Sequence, residues 1–154
     1  MSTITVGQAL PAFSAQSTQG EISSESLAGH AYVLYFYPRD NTPGCTTQAQ
    51  NFRDLINEFE AAGVKIIGVS RDSMASHERF ATKQELPFAL ISDPDESLCE
   101  LFGVMKLKNM YGKQVRGIER STFLVNADGV LIQEWRGLRV PGHVDQVLEA
   151  ARAL

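Results

Sequence analysis

Cys45 and Thr42 sit in one stretch, YVLYFYPRDNTPGCTTQAQNF over 32–52, whose pattern suits thiol chemistry. An apolar run from Tyr32 to Tyr37 ends at Pro38. Arg39-Asp40-Asn41 makes a short polar loop, and Thr42-Pro43-Gly44-Cys45 opens a segment of helical spacing. The pattern predicts a buried strand that delivers one cysteine to the first turn of a helix. There the backbone N–H groups lack partners and the helix dipole is positive. Both favour a negative sulfur, and the thiolate is the reactive form of cysteine. An ordinary thiol, with a pKa of about 8.5, is only a few per cent ionised at neutral pH. Full ionisation raises the reactive fraction by about 30-fold, or about 2 kcal/mol. A helix terminus supplies only about 0.3–1 kcal/mol. A reactive Cys45 therefore needs further donors, a hydroxyl or amide and a nearby guanidinium, and Thr42 is the local hydroxyl. The competing reading makes Cys45 a small buried hydrophobe and Thr42 a helix cap.

The elements around this stretch read from their periodicity. Gln19-Gly20 marks a turn between two short extended pieces within residues 4–28. The strand over 32–37 is apolar on both faces, as a central covered strand should be. Phe52, Leu55, Ile56 and Phe59 predict a helix from Cys45 to about Ala62, stopped by Gly63. VKIIGVS over 64–70 is a second buried strand. Ser73 caps a helix over 74–85 that ends at Leu86-Pro87, and a third strand follows over 88–91. Ser92-Asp93-Pro94-Asp95 reads as a turn and N-cap for a short helix over 95–102. Residues 103–120 carry Lys106, Lys108, Lys113, Arg116 and Arg120 against the single acid Glu119. They read as a solvated loop or a weakly paired extension, with an electropositive rim for a protein reductant as the functional alternative. Segments 122–125 and 130–135 flank Asn126-Ala127-Asp128-Gly129, a hairpin signature. Pro141 opens a last helix over 141–153 with Val144, Val147, Leu148 and Ala151 on one face. This order predicts an α/β chain: a thioredoxin-like fold with a central mixed β-sheet flanked by helices and an N-terminal β-hairpin extension.

The bulk numbers bound the rest. A length of 154 residues suits one domain spanning 1–154. A net charge of −4 and an isoelectric point near 5.3 give no electrostatic case for nucleic acid or an anionic membrane. No lysine or arginine precedes Arg39, so a secretory signal's positive leader is missing, and the apolar stretch 31–37 is too short to span a bilayer. These features point to the cytoplasm. The two cysteines, Cys45 and Cys99, do not suggest a disulfide scaffold. His30, His77 and His143 lie far apart, without zinc-site spacing, and are expected as surface or cap residues. Tyr37 and Trp135 read as core packing.

Beyond these features, Pro38-x-x-x-Thr42-x-x-Cys45 resembles the active-site motif of peroxiredoxins. FYPRDNTPGCTTQ, ISDPDESLCELFGV, NMYGKQVRGIERSTFLVNADG and WRGLRVPGH are similar to the branch called bacterioferritin comigratory protein or peroxiredoxin Q, over nearly the whole chain. The resemblance implies a peroxidatic Cys45 that attacks a peroxide oxygen and becomes a sulfenic acid. It implies that Thr42 hydrogen-bonds the thiolate and the peroxide, that Pro38 shields the sulfur, and that Arg120 lies beside it. On the residues alone, the favoured reading of Arg120 is an ordinary strand-end surface arginine pairing with Glu119.

The family's resolving cysteine positions are Gln50 and, by the matching stretch, Ala81 in this chain. Cys99 matches a cysteine not usually assigned to resolution, and its leucine neighbours read as core. The expectation is therefore a one-cysteine peroxidase of antioxidant defence. It would reduce hydrogen peroxide and organic hydroperoxides without cofactor or metal, using thioredoxin, glutaredoxin or a small thiol, as a monomer or weak dimer. The alternatives are a thiol–disulfide oxidoreductase, disfavoured because Thr42 stands where a Cys-x-x-Cys motif would begin, and a non-catalytic thioredoxin-fold binding or chaperone module.

Overall fold

The computed structural model describes residues 4–154, with the backbone alone at Met110. In chain order the elements are β1 (Ser14–Ser17), β2 (Gly20–Ser23), β3 (Ala31–Phe36), α1 (Pro43–Asp54), α2 (Ile56–Ala61), β4 (Val64–Ser70) and α3 (Met74–Lys83). There follow β5 (Ala89–Ser92), α4 (Ser97–Leu101), β6 (Met105–Met110), β7 (Lys113–Ile118), β8 (Ser121–Val125), β9 (Leu131–Arg136) and α5 (His143–Arg152). Seven strands form one sheet in the order β2-β1-β5-β4-β3-β8-β9. Its centre, β5-β4-β3, is parallel; β8 and β9 on one edge and β1 and β2 on the other are antiparallel. The mixed α/β sheet and the N-terminal hairpin agree with the sequence reading.

Successive side chains of a strand point to opposite faces, and β3 uses both. Val33, Tyr35 and Tyr37 pack on one side with Cys45, Ala49 and Phe52 of α1, Phe80 of α3, and Val144 and Leu148 of α5. Tyr32, Leu34 and Phe36 pack on the other side with Leu98 and Cys99 of α4, Phe102 and Phe123. Tyr35 stacks on Phe52 at 4.6 Å, and Phe36 meets Phe102 at 5.2 Å. None of the described helices is long and apolar enough to cross a membrane.

Several local features differ from the sequence reading. The expected helix from Cys45 to Ala62 is interrupted at Leu55, whose N–H bonds to Phe52 O, three residues back, before α2 resumes. The short helix begins at Ser97 and is capped from upstream. Asp93 accepts from the N–H groups of Leu98 and Cys99, while Glu96 at the cap position is left-handed. Of the two readings of 103–120, the paired extension holds: β6 and β7 pair over six positions as a separate two-stranded ribbon, reversing at Tyr111 and Gly112. Its strands are mostly exposed, so no buried face marks them in the sequence.

Gly68 shows how closely side chains of neighbouring strands pack over the sheet. A methyl group there would fall 2.7 Å from Leu90 and 2.9 Å from the Tyr35 ring. Gly68→Ala is therefore expected to destabilise the protein by about 1–3 kcal/mol through overpacking, read by urea unfolding.

Candidate active site

The site lies past the C-terminal end of β3, an interior strand, on the face of the sheet packed by α1, α3 and α5. β3 ends at Phe36, Tyr37 still bonds through its N–H to Val69 O, and the chain then turns through 38–42 into α1. Thr42 is the N-cap by backbone position, and Pro43 suits the first helical position, where no N–H is needed. The first intrahelical bond runs from Thr46 N–H to Thr42 O, so the N–H groups of Gly44 and Cys45 precede it. Cys45 thus stands in the first turn, as the sequence predicts, with only 2% of its surface exposed. Both described cysteines carry free thiols.

Arg120 reaches this sulfur from the far side of the chain. It lies just before β8, which pairs with β3 and brings Ser121 opposite Phe36. Its Nη2 lies 3.4 Å from Cys45 Sγ, and its Nη1 donates to Gln48 Oε1 at 2.6 Å. None of the ion pairs among the described residues joins Arg120 to Glu119. Gly44 leaves room for the guanidinium: a methyl there would sit 3.3 Å from Nη2.

Gln48 is a residue that the sequence reading missed. It is fully buried, three positions after Cys45 on the same helix, and its Nε2 has no hydrogen-bond partner among the described residues. A buried amide usually finds partners for both ends, so this spare donor beside Arg120 belongs to the site. The available signal was a polar residue on the Cys45–Ala49–Phe52 stripe, since positions three and four apart share a helix face.

The other expected residues fall as follows. Pro38 is half-buried between Tyr37 and the turn. Thr42 does not cap through its side chain; its hydroxyl donates to Arg39 O at 3.0 Å. Its oxygen therefore keeps lone pairs free to accept.

His77 and His143 are corrections to the expectation of surface or cap residues, because both are buried. His143 bonds Thr122 Oγ1 through Nε2 at 2.8 Å and lies edge-on to Trp135. Burial, reinforced by the Arg120 charge, pushes its pKa down to about 4. Cys99 lies in the core of the opposite face, where burial and then the neighbouring Asp93 push its thiol pKa up. Asp40, Asp72 and His77 bring ligand-type atoms within 4.8 Å of one another. Hydrogen bonds among themselves, to Tyr37, Ser70 and Ser76, and to Ile91 O already occupy those atoms, so the cluster does not read as a cation site.

The family described as AhpC/TSA matches residues 6–134. The chain belongs to the AhpC/TSA family. The AhpC/TSA relatives include a peroxiredoxin Bcp of Xanthomonas campestris, 58% identical over 82% of this chain and 79% of that one. A peroxiredoxin Bcp of Bacillus subtilis is 45% identical over 97% and 96%. A solved structure of Xanthomonas campestris peroxiredoxin Q matches with a TM-score of 0.87 at 52% identity, covering 92% of this chain and 90% of that one. A Xylella fastidiosa PrxQ mutant matches with a TM-score of 0.93 at 39% identity, over 99% and 98%. The peroxiredoxin Q resemblance and the thioredoxin-like fold read from the sequence are thereby shown.

Arg120→Lys should cost at least about tenfold in peroxidase rate, because one ammonium cannot hold Gln48 and face the sulfur in a fixed fork. Stopped-flow peroxide consumption measures it. For His143, the folded pKa of about 4 lies below the ordinary value of 6.5. Between these values the unfolded chain binds a proton that the native state refuses, so stability falls as pH drops through that window. The His143 contribution is fully present above about 6.5. Melting temperature should fall between pH 6.5 and 4, and less steeply in His143→Gln.

Proposed function

We propose that this chain, a thiol-dependent peroxidase by family, reduces peroxides at Cys45 by a one-cysteine cycle. The observation that carries the proposal is the Arg120 guanidinium aimed at the sulfur of a first-turn cysteine, 3.4 Å away.

In the first step the Cys45 thiolate attacks one peroxide oxygen. An S–O bond forms as the O–O bond breaks, and sulfur loses the two electrons that the peroxide gains. The leaving oxygen takes a proton and departs as water or an alcohol, and Cys45 is left as a sulfenic acid, which is reversible. Ionising the thiol gives at most the factor of about 30 derived above, so most of the acceleration must come from groups that meet the transition state. Negative charge grows on the departing oxygen, and Arg120 and the free first-turn N–H groups are fixed donors on that side. Thr42, its own proton committed to Arg39 O, can accept the peroxide O–H. Pro38, in the role the resemblance implies, would shield the sulfur.

The second step needs a thiol. Cys99 is poorly suited to supply it. Cys45 and Cys99 pack on opposite faces of the sheet, and Cys99 is held in its neutral form by burial. An external thiol, from thioredoxin, glutaredoxin or a small molecule, would displace the sulfenic oxygen as water and form a mixed disulfide. A second thiol would then release Cys45. The electrons come wholly from thiols, so the cycle balances without a cofactor. We further read residues 1–154 as one functional domain acting in the cytoplasm as a monomer or weak dimer, where a reducing thiol pool is at hand.

Cys45→Ser should abolish peroxidase activity with an external thiol, whereas Cys99→Ser should keep most of it. Equal loss in the two variants would overturn the one-cysteine cycle. The coupled peroxidase assay, run with dithiothreitol and with thioredoxin, makes the comparison.

A further inference from the structure

The turn that carries the chain from β3 to Cys45 has little apolar anchorage. Between Tyr37 and Cys45 the one buried residue is Asp40; Arg39, Asn41, Pro43 and Gly44 are exposed, and Pro38 and Thr42 are half-buried. A buried carboxylate is costly unless donors surround it, and here they do. Tyr37 donates its hydroxyl to Oδ1 at 2.6 Å. Ser76 donates to Oδ2 at 2.8 Å, and His77 Nδ1 lies 2.7 Å from the same oxygen. The backbone N–H of Asp40 donates to Asp72 Oδ2 at 2.9 Å, and Ser70 donates to that oxygen at 2.6 Å. Burial alone would raise the Asp40 pKa, but the donors outweigh it and hold the carboxyl below its usual range.

His77 is fixed at both ends. Its Nε2 lies 2.9 Å from Ile91 O, a carbonyl that can only accept, so this nitrogen carries a proton. Its Nδ1 faces the Asp40 carboxylate, an ionised partner, at 2.7 Å. The pair is therefore a closed, charge-assisted link. It joins the turn to the start of α3 and to β5, while Tyr37 and Asp72 join it to the ends of β3 and β4. Directly after Asp40, Asn41 takes a left-handed conformation with φ of 62°. Non-glycine residues adopt this conformation rarely, asparagine more readily than most. The chain is drawn inward at 40 and must reverse sharply at 41 to bring Thr42 and Pro43 to the helix start.

We propose that Asp40 and His77 are positioning residues for peroxide reduction: their buried link sets the 38–42 turn and so aligns Thr42 and the first-turn N–H groups with the Cys45 sulfur. Neither residue touches the sulfur or the substrate. The proposal rests on Cys45 as the reacting sulfur. Misplacement of reacting groups by about 1 Å can cost about 100-fold, whereas alkylation of the same thiol by iodoacetamide needs only an ionised, accessible sulfur. Misalignment therefore separates the two reactions.

The experiment measures both rate constants at Cys45, hydrogen peroxide by stopped flow and iodoacetamide by intact mass, in the full chain with Cys99→Ser as background. Cys45→Ser in the same background is the control. If peroxide consumption persists there, the function reading fails and the positioning proposal falls with it. Given that control, His77→Leu should lower the peroxide rate by about tenfold or more and change alkylation by less than about threefold. His77→Asn places an amide N–H where Nδ1 lies and should recover most of the loss. Should His77→Leu fail to fold, Ser76→Ala and Tyr37→Phe each remove one Asp40 donor and should show the same selective loss in smaller measure. A peroxide rate within about twofold of wild type in folded variants, or an equal fall in both reactions, would overturn the proposal.

Discussion

The contact between Arg120 and Cys45 constrains the rest of the structure. The two residues are 75 positions apart, and their heads meet at 3.4 Å. Three conditions must hold together. β8 must lie beside β3, so that the residue before Ser121 comes level with the end of the strand that leads to Cys45. Gly44 must lack a side chain, because a methyl there would crowd the guanidinium. Gln48 must sit one helical turn beyond the cysteine to hold the other arm of the fork. A flexible cation would lose this fixed aim, and a preorganised donor costs no reorganisation as charge develops.

The sheet also separates the two thiols chemically. Cys45 packs on the α1, α3 and α5 face, with a cation beside it. Cys99 packs on the α4 face, among Phe36, Phe102 and Phe123, with Asp93 nearby. Only the first environment sets a guanidinium and helix-start N–H groups beside the sulfur. A disulfide between them would require one residue to cross a sheet packed on both faces. In the proposed cycle, this separation leaves a Cys45 sulfenic acid to be met by an external thiol. The exposed β6–β7 ribbon, which leads directly to Arg120, lies on the same segment of chain.

Local signals made most of the fold legible. The apolar runs gave β3 and β4, Asp128-Gly129 gave the β8–β9 turn, and Ser73 caps α3 as expected by accepting from Ser76 N–H. What escaped the sequence depends on distant partners. His77 could not be placed in the core without Asp40, 37 positions away, nor His143 without Thr122, 21 positions away. The β6–β7 ribbon was read only as one of two alternatives, because pairing between exposed strands leaves no alternation to read. The candidate site divides in the same way. Cys45 at a helix start was legible from spacing alone, whereas Arg120 entered only through the resemblance to peroxiredoxins. Gln48, which locks the two together, was hidden among ordinary helix residues.

The central claim is that Cys45 takes one oxygen from a peroxide and keeps it until an external thiol arrives. The most direct test is the intact mass of fully reduced protein after one equivalent of hydrogen peroxide, quenched within seconds, with the modified residue located by peptide mapping. The account predicts a gain of a single oxygen on Cys45, removed again by added thiol. Loss of two hydrogens, from a bond between Cys45 and Cys99, would contradict it.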